Sequence, residues 1–376
     1  MPITTVKGPL SRAELGAILP HEHIFLDLTN QFTEPTDPAK RQLSRESITL
    51  PRYGALRRNP YAIRDNLILD DLETAIQEVS AYKAAGGTTI VDCTSIGIHR
   101  APVKLREVSD RTGIHIVAGC GYYTYDTHPP ELAGNPVEAL AETLVRDLTQ
   151  GIDGTGICAG VIGEIGTSDP IRPSECKSLM AAAMAYRQTG APLQIHTYPW
   201  GQAGLQAVRM LADAGVDPAR VVICHVDVAI DLAYIRDLLK TGVYVEFDNF
   251  GKEFYIDSAD RVGFSGGVFA SDLERVRAIK ILAAEGHERR LLITNDICLK
   301  QMLCRYGGWG YGHILRHVVP MMADEGIPKA AIDRFVRDNP ADWLCPADPP
   351  PRPGPRSGPD PRRSNPAAPK QHARRP

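Results

Sequence analysis

Apolar, β-branched runs alternate along the chain with stretches in which apolar residues recur every three to four positions. That alternation predicts a parallel sheet built from strand and crossover-helix units. Eight runs read as strands: HEHIFLDL (21–28), GTTIVDCT (87–94), GIHIVAGCG (113–121), AGVIGEIG (159–166), PLQIHT (192–197), RVVICHVD (220–227), VYVEFDN (243–249) and RLLITND (290–296). Between the first two, Leu72, Ile76, Val79 and Tyr82 share one face of a helix that stops at Gly86. A second helix is expected to start at Ser174 as N-cap and to end at Gly190, and further amphipathic stretches occupy about 135–150, 202–215, 230–241 and 271–285. Eight such units favour a closed (β/α)8 barrel over an open doubly wound sheet. GCGYY at 119–123 lacks the third glycine of a dinucleotide-binding turn and carries bulky tyrosines where a backbone would have to come close. Segment 29–69 exceeds an ordinary connection, so it reads as an elaborated loop near a site.

Composition narrows the class without changing the fold. The 376 residues are 43% hydrophobic and 23% charged with a formal net charge of -3, which argues against nucleic acid or an acidic membrane surface as partner. No stretch approaches the roughly 20 apolar residues of a membrane span, and the N-terminus lacks the pattern of a secretory signal. A cytoplasmic protein acting on a small molecule is the expectation; whether it forms a homodimer is left open. The eight cysteines include no C-x-x-C pair and sit mostly in apolar segments, as buried reduced thiols would. From residue 347 the chain is rich in proline and arginine and poor in large apolar residues, so 347–376 is expected to be a disordered tail beyond a catalytic barrel of residues 1–346.

The polar residues at the ends of the apolar runs carry the chemistry. His21 and His23 are two apart and so face the same side of a strand, but a lone His-x-His is better explained by a half-buried strand. Glu164, His196, His225 and Asp296 each end a later run. Taken singly, Asp296 could cap a helix, His196 could be a satisfied core imidazole and Glu164 an ion-pair partner. Active sites of α/β barrels lie at the C-terminal ends of the strands, where six such side chains from distant segments meet. Four imidazoles and two carboxylates suit zinc, or manganese or cobalt, and exceed what one tetrahedral ion uses. Two divalent ions fit better, one on His21, His23 and Asp296, the other on His196 and His225, with Glu164 between them.

With these residues in place, the chain resembles the phosphotriesterase family of the amidohydrolase superfamily, and in particular its phosphotriesterase-related branch. LGAILPHEHIFLD, GEIGTS, IHT and CHVD match in order and context, and GGWGYGHIL at 307–315 is similar to the branch's segment after strand eight. The resemblance covers residues 10–345. It implies a binuclear centre on the six residues above, a hydroxide bridging the ions as nucleophile, and Asp296 as acceptor or relay of its proton. The best-known members place a carboxylated lysine where this chain has Glu164. The related branch resembles this sequence in using glutamate, which is shorter by roughly 3 to 4 Å of reach, so strand four must come closer, helped by Gly163 and Gly166. The implied reaction is hydrolysis of a carboxylic ester, lactone or amide, with phosphotriester cleavage as the alternative. A non-catalytic metal- or ligand-binding barrel is the reading from another class, and the complete ligand set argues against it. Lactonase members tend to carry arginine at the position of Asn249, which counts against a lactone. Tyr122, Tyr123, Arg100 and Lys252 are substrate-side candidates, while His99, His115, His128, His313 and His317 are assigned packing, capping or surface roles.

Overall fold

The computed structural model describes residues 2–346, so the segment expected to be a disordered tail lies outside the described residues. Eight parallel strands pair in chain order: β1 (Ile18–Glu22), β2 (Thr89–Asp92), β3 (His115–Cys120), β4 (Val161–Thr167), β5 (Leu193–Thr197), β6 (Val221–Ile223), β7 (Tyr244–Phe247) and β8 (Leu291–Ile293). Side chains draw β8 to β1: the Thr294 hydroxyl stands 3.0 Å from the His21 carbonyl and 2.6 Å from Glu22 Oε1. The architecture is a (β/α)8 barrel.

Six of the seven crossover helices fall where the periodicity places them, and the one over Pro102–Thr112 is not named by the sequence reading. The seven are α1 (Leu72–Ala84), α2 (Pro102–Thr112), α3 (Val137–Thr149), α4 (Pro173–Thr189), α5 (Gly204–Asp213), α6 (Leu232–Lys240) and α7 (Asp272–Leu282). Asp71 caps α1 by accepting from the Thr74 amide, and Val79 and Tyr82 are buried beneath it. At α4 the N-cap is Arg172, not Ser174: Pro173 takes the first helical position, where its fixed φ suits the turn, and puts Ser174 inside the helix. Gly190 ends α4 in the left-handed region at φ 74°, as expected.

Strand one differs from its expected span. Pairing with β2 covers Ile18–Glu22, so HEH ends the strand instead of heading it, and the apolar residues beyond leave the sheet. The cause is Asp92 at the end of β2, whose Oδ2 accepts from the Ile24 amide at 2.7 Å and turns the chain outward. Leu26–Asp27 then pairs antiparallel with Ile68–Leu69. Segment 29–69 is an elaborated loop, with short helices at Pro38–Ser44 and Tyr53–Arg58 around a small cluster of Ile48, Leu56 and Ile63. It is tied to the loop after β7 by Lys40 with Asp260, Arg58 with Asp257, and Arg57 with Glu253 at 3.7 Å.

Inside the barrel, Ile18, Val91, Val117, Val161, Val222 and Leu292 join Trp343 and Leu344 in one apolar cluster. The C-terminal helix Asn339–Leu344 supplies the last two and closes the end of the barrel opposite the polar strand ends. Polar side chains take over toward the C-terminal ends of the strands, and the ligand candidates stand there. Of the eight cysteines, Cys93, Cys120, Cys224 and Cys345 are buried and Cys304 is exposed.

Candidate metal centre

The barrel brings the six predicted donors together. His21 closes β1 and His23 follows it; Glu164 lies in β4, His196 in β5, and His225 and Asp296 just beyond β6 and β8. None is more than 6% exposed. Local backbone irregularities aim them. Register shifts by one residue between Leu19 and Glu22 in β1 and between Ile162 and Ile165 in β4, the bulges that re-aim side chains at the rim of a barrel. His225 at φ 62° and Asp296 at φ 47° occupy the left-handed region, a conformation that costs a non-glycine residue free energy and that neighbours must hold. Glu22 holds Asp296 from behind: its Oε1 accepts from the Asn295 amide and side chain at 2.9 Å each, and its Oε2 from the Ile297 amide at 2.8 Å.

Glu164 stands in the middle. Its Oε1 is 2.8 Å from both His196 Nδ1 and His225 Nε2, and its Oε2 is 3.7 Å from Nε2 of both His21 and His23. Asp296 Oδ1 lies 3.3 Å from His23 Nε2 and 3.8 Å from His21 Nε2. The glycines of GEIG permit this approach. A Cβ at Gly163 would stand 2.7 Å from Gln194 Cβ, and one at Gly166 would stand 2.3 Å from the Thr124 amide nitrogen. Behind the donors, other groups fix the rings: His21 Nδ1 faces Glu246 Oε2 at 2.9 Å, His23 Nδ1 faces Thr94 Oγ1 at 3.0 Å, and His225 Nδ1 faces Asp248 Oδ1 at 3.0 Å. Thr94 spends its own proton on the Phe25 carbonyl, so its oxygen accepts from His23 and leaves the Nε2 lone pair directed at Glu164 and Asp296.

The electrostatics fit a cation. Burial opposes charge on Glu164, yet His196 and His21 beside it hold its carboxyl well below the ordinary carboxylate range. Burial likewise opposes charge on Asp296, and the Lys252 ammonium with His23 outweighs it, so this carboxylate too is ionised. Burial pulls His196 down and keeps it the neutral imidazole a ligand must be, whereas Asp248 and Glu164, acting against burial, push His225 up to about 10. The cluster draws positive charge into a buried site. Nε2 of His21 is buried without any hydrogen-bond partner, an expensive state for an imidazole unless a ligand takes its lone pair. Donor atoms of His21, His23 and Asp296 fall within 4.8 Å of one another, as do those of His21, Glu164 and His225. Nitrogen and carboxylate donors grouped in this way suit a divalent metal ion.

A pocket opens onto this cluster. Leu28, Tyr61, Ile98, Phe254, Phe264 and Phe269 make most of its wall apolar. Of the substrate-side candidates, Lys252 and Tyr123 line it. Lys252 pairs with Asp296 Oδ2, and the Tyr123 hydroxyl is 3.3 Å from His196 Nδ1. Arg100 does not line it, because Asp147 at 2.5 Å and Asp153 at 2.6 Å hold its guanidinium at the barrel's flank. Tyr122 does not line it either: it is buried in the core, with its ring 6.5 Å from that of His128. His313, assigned a packing role, is buried with Nε2 bonded to Asp272 at 2.7 Å. Glu246, Asp248 and Thr94 were not singled out in the sequence. Glu246 and Asp248 share the parity of Tyr244, which faces the barrel interior, and that two-residue period is the signal by which they could have been found.

The chain matches the model of the phosphotriesterase family over residues 1–344. It is 40% identical over 344 residues to a phosphotriesterase-related protein of Nematostella vectensis, covering 90% of this chain and 97% of the relative. It is 38% identical over 345 residues to an N-acetyltaurine hydrolase of Danio rerio, covering 91% and 97%. Among solved structures, a resiniferatoxin-binding protein from Rhodobacter sphaeroides superposes with a TM-score of 0.87 at 35% identity, covering 91% of this chain and 94% of that one.

Proposed function

The chain belongs to the phosphotriesterase family and is a metal-dependent hydrolase, and from that premise we propose that it cleaves the amide bond of small N-acyl compounds whose amine half carries an acidic group. The observation that carries the reading is the convergence of His21, His23, Glu164, His196, His225 and Asp296 around buried, ionised carboxylates and an unpartnered imidazole nitrogen. These six would hold two divalent ions, zinc first, at the floor of an otherwise apolar pocket. Bound there, the ions supply Lewis acidity and a water acidified toward neutrality. The amide and the acidic group are supported by the relatives named for N-acetyltaurine hydrolysis and by the pocket's cation.

The chain's own residues divide the remaining work. Asp296, ionised and held in place by Glu22 through the 295–297 backbone, is the group set to accept a proton from attacking water and to deliver it to the departing amine nitrogen. Lys252, the one lysine or arginine lining the pocket among the described residues, would meet a carboxylate or sulfonate of the amine half. Phe254, Phe264 and Phe269 exclude bulk water and leave room for a short acyl group. A rate comparison tests the reading: zinc-loaded protein is assayed against N-acetyl amino-sulfonates, N-acyl amino acids, neutral lactones, aryl esters and phosphotriesters. The acidic amides are expected to lead in kcat/KM. A lead for lactones or phosphotriesters, with acidic amides untouched, would replace this reading.

A further inference from the structure

Glu246 has no part in the reading above, yet its surroundings are unusual. It is a fully buried carboxylate on β7, inside the barrel and one layer below the donors. Burying an ionised carboxylate is costly unless strong partners compensate. Here the partners are few. Among the described residues its ion pairs number one, to His21 Nδ1 at 2.9 Å. Its other contacts are both oxygens at 3.4 Å from Gln194 Nε2, which is itself committed to the Pro20 carbonyl at 2.8 Å. Gln194 is fixed in turn by Cys93, whose thiol donates to its Oε1 at 2.7 Å. A chain of hydrogen bonds thus crosses the barrel from β2 through β5 to β7 and ends on the ring of His21. Among the described residues no lysine or arginine pairs with it, and the opposite nitrogen of that ring is the one buried without a partner.

We propose that Glu246 is a positioning residue for the metal centre, holding the proton of His21 on Nδ1 so that Nε2 presents its lone pair to an ion. The inference rests on the reading of the six residues as metal ligands. Its physical basis is that a carboxylate bonded to the far nitrogen of a ligand histidine fixes tautomer and ring orientation and makes the ligand more basic. His23 and His225 have the same arrangement, through Thr94 and Asp248. His21 is distinguished by being served by a carboxylate that has no other strong donor. A residue kept for stability would carry its own compensation; Glu246 is compensated through His21 and, beyond it, through the ion.

The test compares wild type with Glu246→Gln and Glu246→Leu, measuring zinc affinity by competition with a chromophoric chelator, stoichiometry by elemental analysis and thermal unfolding of the metal-free proteins. Glu246→Gln is expected to weaken zinc binding about 10- to 100-fold, as removal of such outer partners does, while its metal-free form unfolds at or above the wild-type temperature. A structural role predicts the reverse, a lowered metal-free unfolding temperature with unchanged zinc affinity, and that result overturns the proposal. Glu246→Leu removes the acceptor as well as the charge and should bind zinc more weakly than Glu246→Gln; equal affinity in all three proteins also overturns it. Wild type that binds no zinc would sink the metal reading itself, whereas wild type with two ions and unaffected variants sinks this inference alone.

Discussion

Asp296 and Glu164 carry negative charge into the same buried space, but they are expected to fail differently. Asp296→Asn keeps the shape and the grip of Glu22 on the following backbone while removing the proton acceptor, so kcat should fall by about 10²- to 10⁴-fold, the range for loss of a general acid or base, with the far-ultraviolet dichroism unchanged. Wild-type turnover in that variant would remove Asp296 from its role. Glu164 contacts all four histidines, so Glu164→Ala should lower bound zinc from about two ions toward one, which elemental analysis reads directly. These donors were legible in the sequence because Glu164, His196, His225 and Asp296 each end an apolar run, and together they turned the His21 and His23 pair, bland on its own, into part of a set. Glu246 and Asp248 were not. In a run of only four paired residues, an alternating acid reads equally as a solvent-facing position, and only the closure of the barrel decides which face is inside.

At the scale of elements, the eight strands and six of the seven crossover helices are read from period, while α2 and the features that aim the site are not. The bulge in β4 and the early exit of β1 from the sheet are set by tertiary contacts, the Asp92 carboxylate on the Ile24 amide among them, and leave no local pattern. The close packing of GEIG against the 122–124 segment gives a direct check. Gly166→Ala places a methyl 2.3 Å from backbone atoms of Tyr123 and Thr124 that cannot swing away. It should destabilise the protein by about 1–3 kcal/mol, seen as a lower midpoint in urea. Asp272, at the start of α7, gives a pH-dependent check. Burial works against its charge, but the His313 ring and the Arg275 guanidinium hold its carboxyl below the ordinary range, and it accepts from the Gly251 amide at 2.8 Å. A depressed folded-state pKa contributes stability that is present above the unfolded value, near 4, and is lost as pH falls through the folded one. The drop in unfolding temperature from pH 7 to pH 3 should therefore be smaller in Asp272→Asn than in wild type. An equal drop would mean that the carboxylate's partners do not favour its charge.

For the whole molecule, the centre and the fold stabilise each other. An ion that binds the native barrel and not the unfolded chain adds RT ln(1 + [L]/Kd), about 2.7 kcal/mol at a hundredfold excess over Kd. Stripping the protein with a strong chelator should therefore lower its unfolding temperature by several degrees, and restoring zinc should recover it; a midpoint indifferent to metal would show that the ligands do not bind in this state. The donors lie between residues 21 and 296, at the ends of strands one, four, five, six and eight. A chain cut short before strand eight would own imidazoles from strands one, five and six but lack Asp296, so under the proposed ligand set retention of metal would report that the last strand has closed against the first.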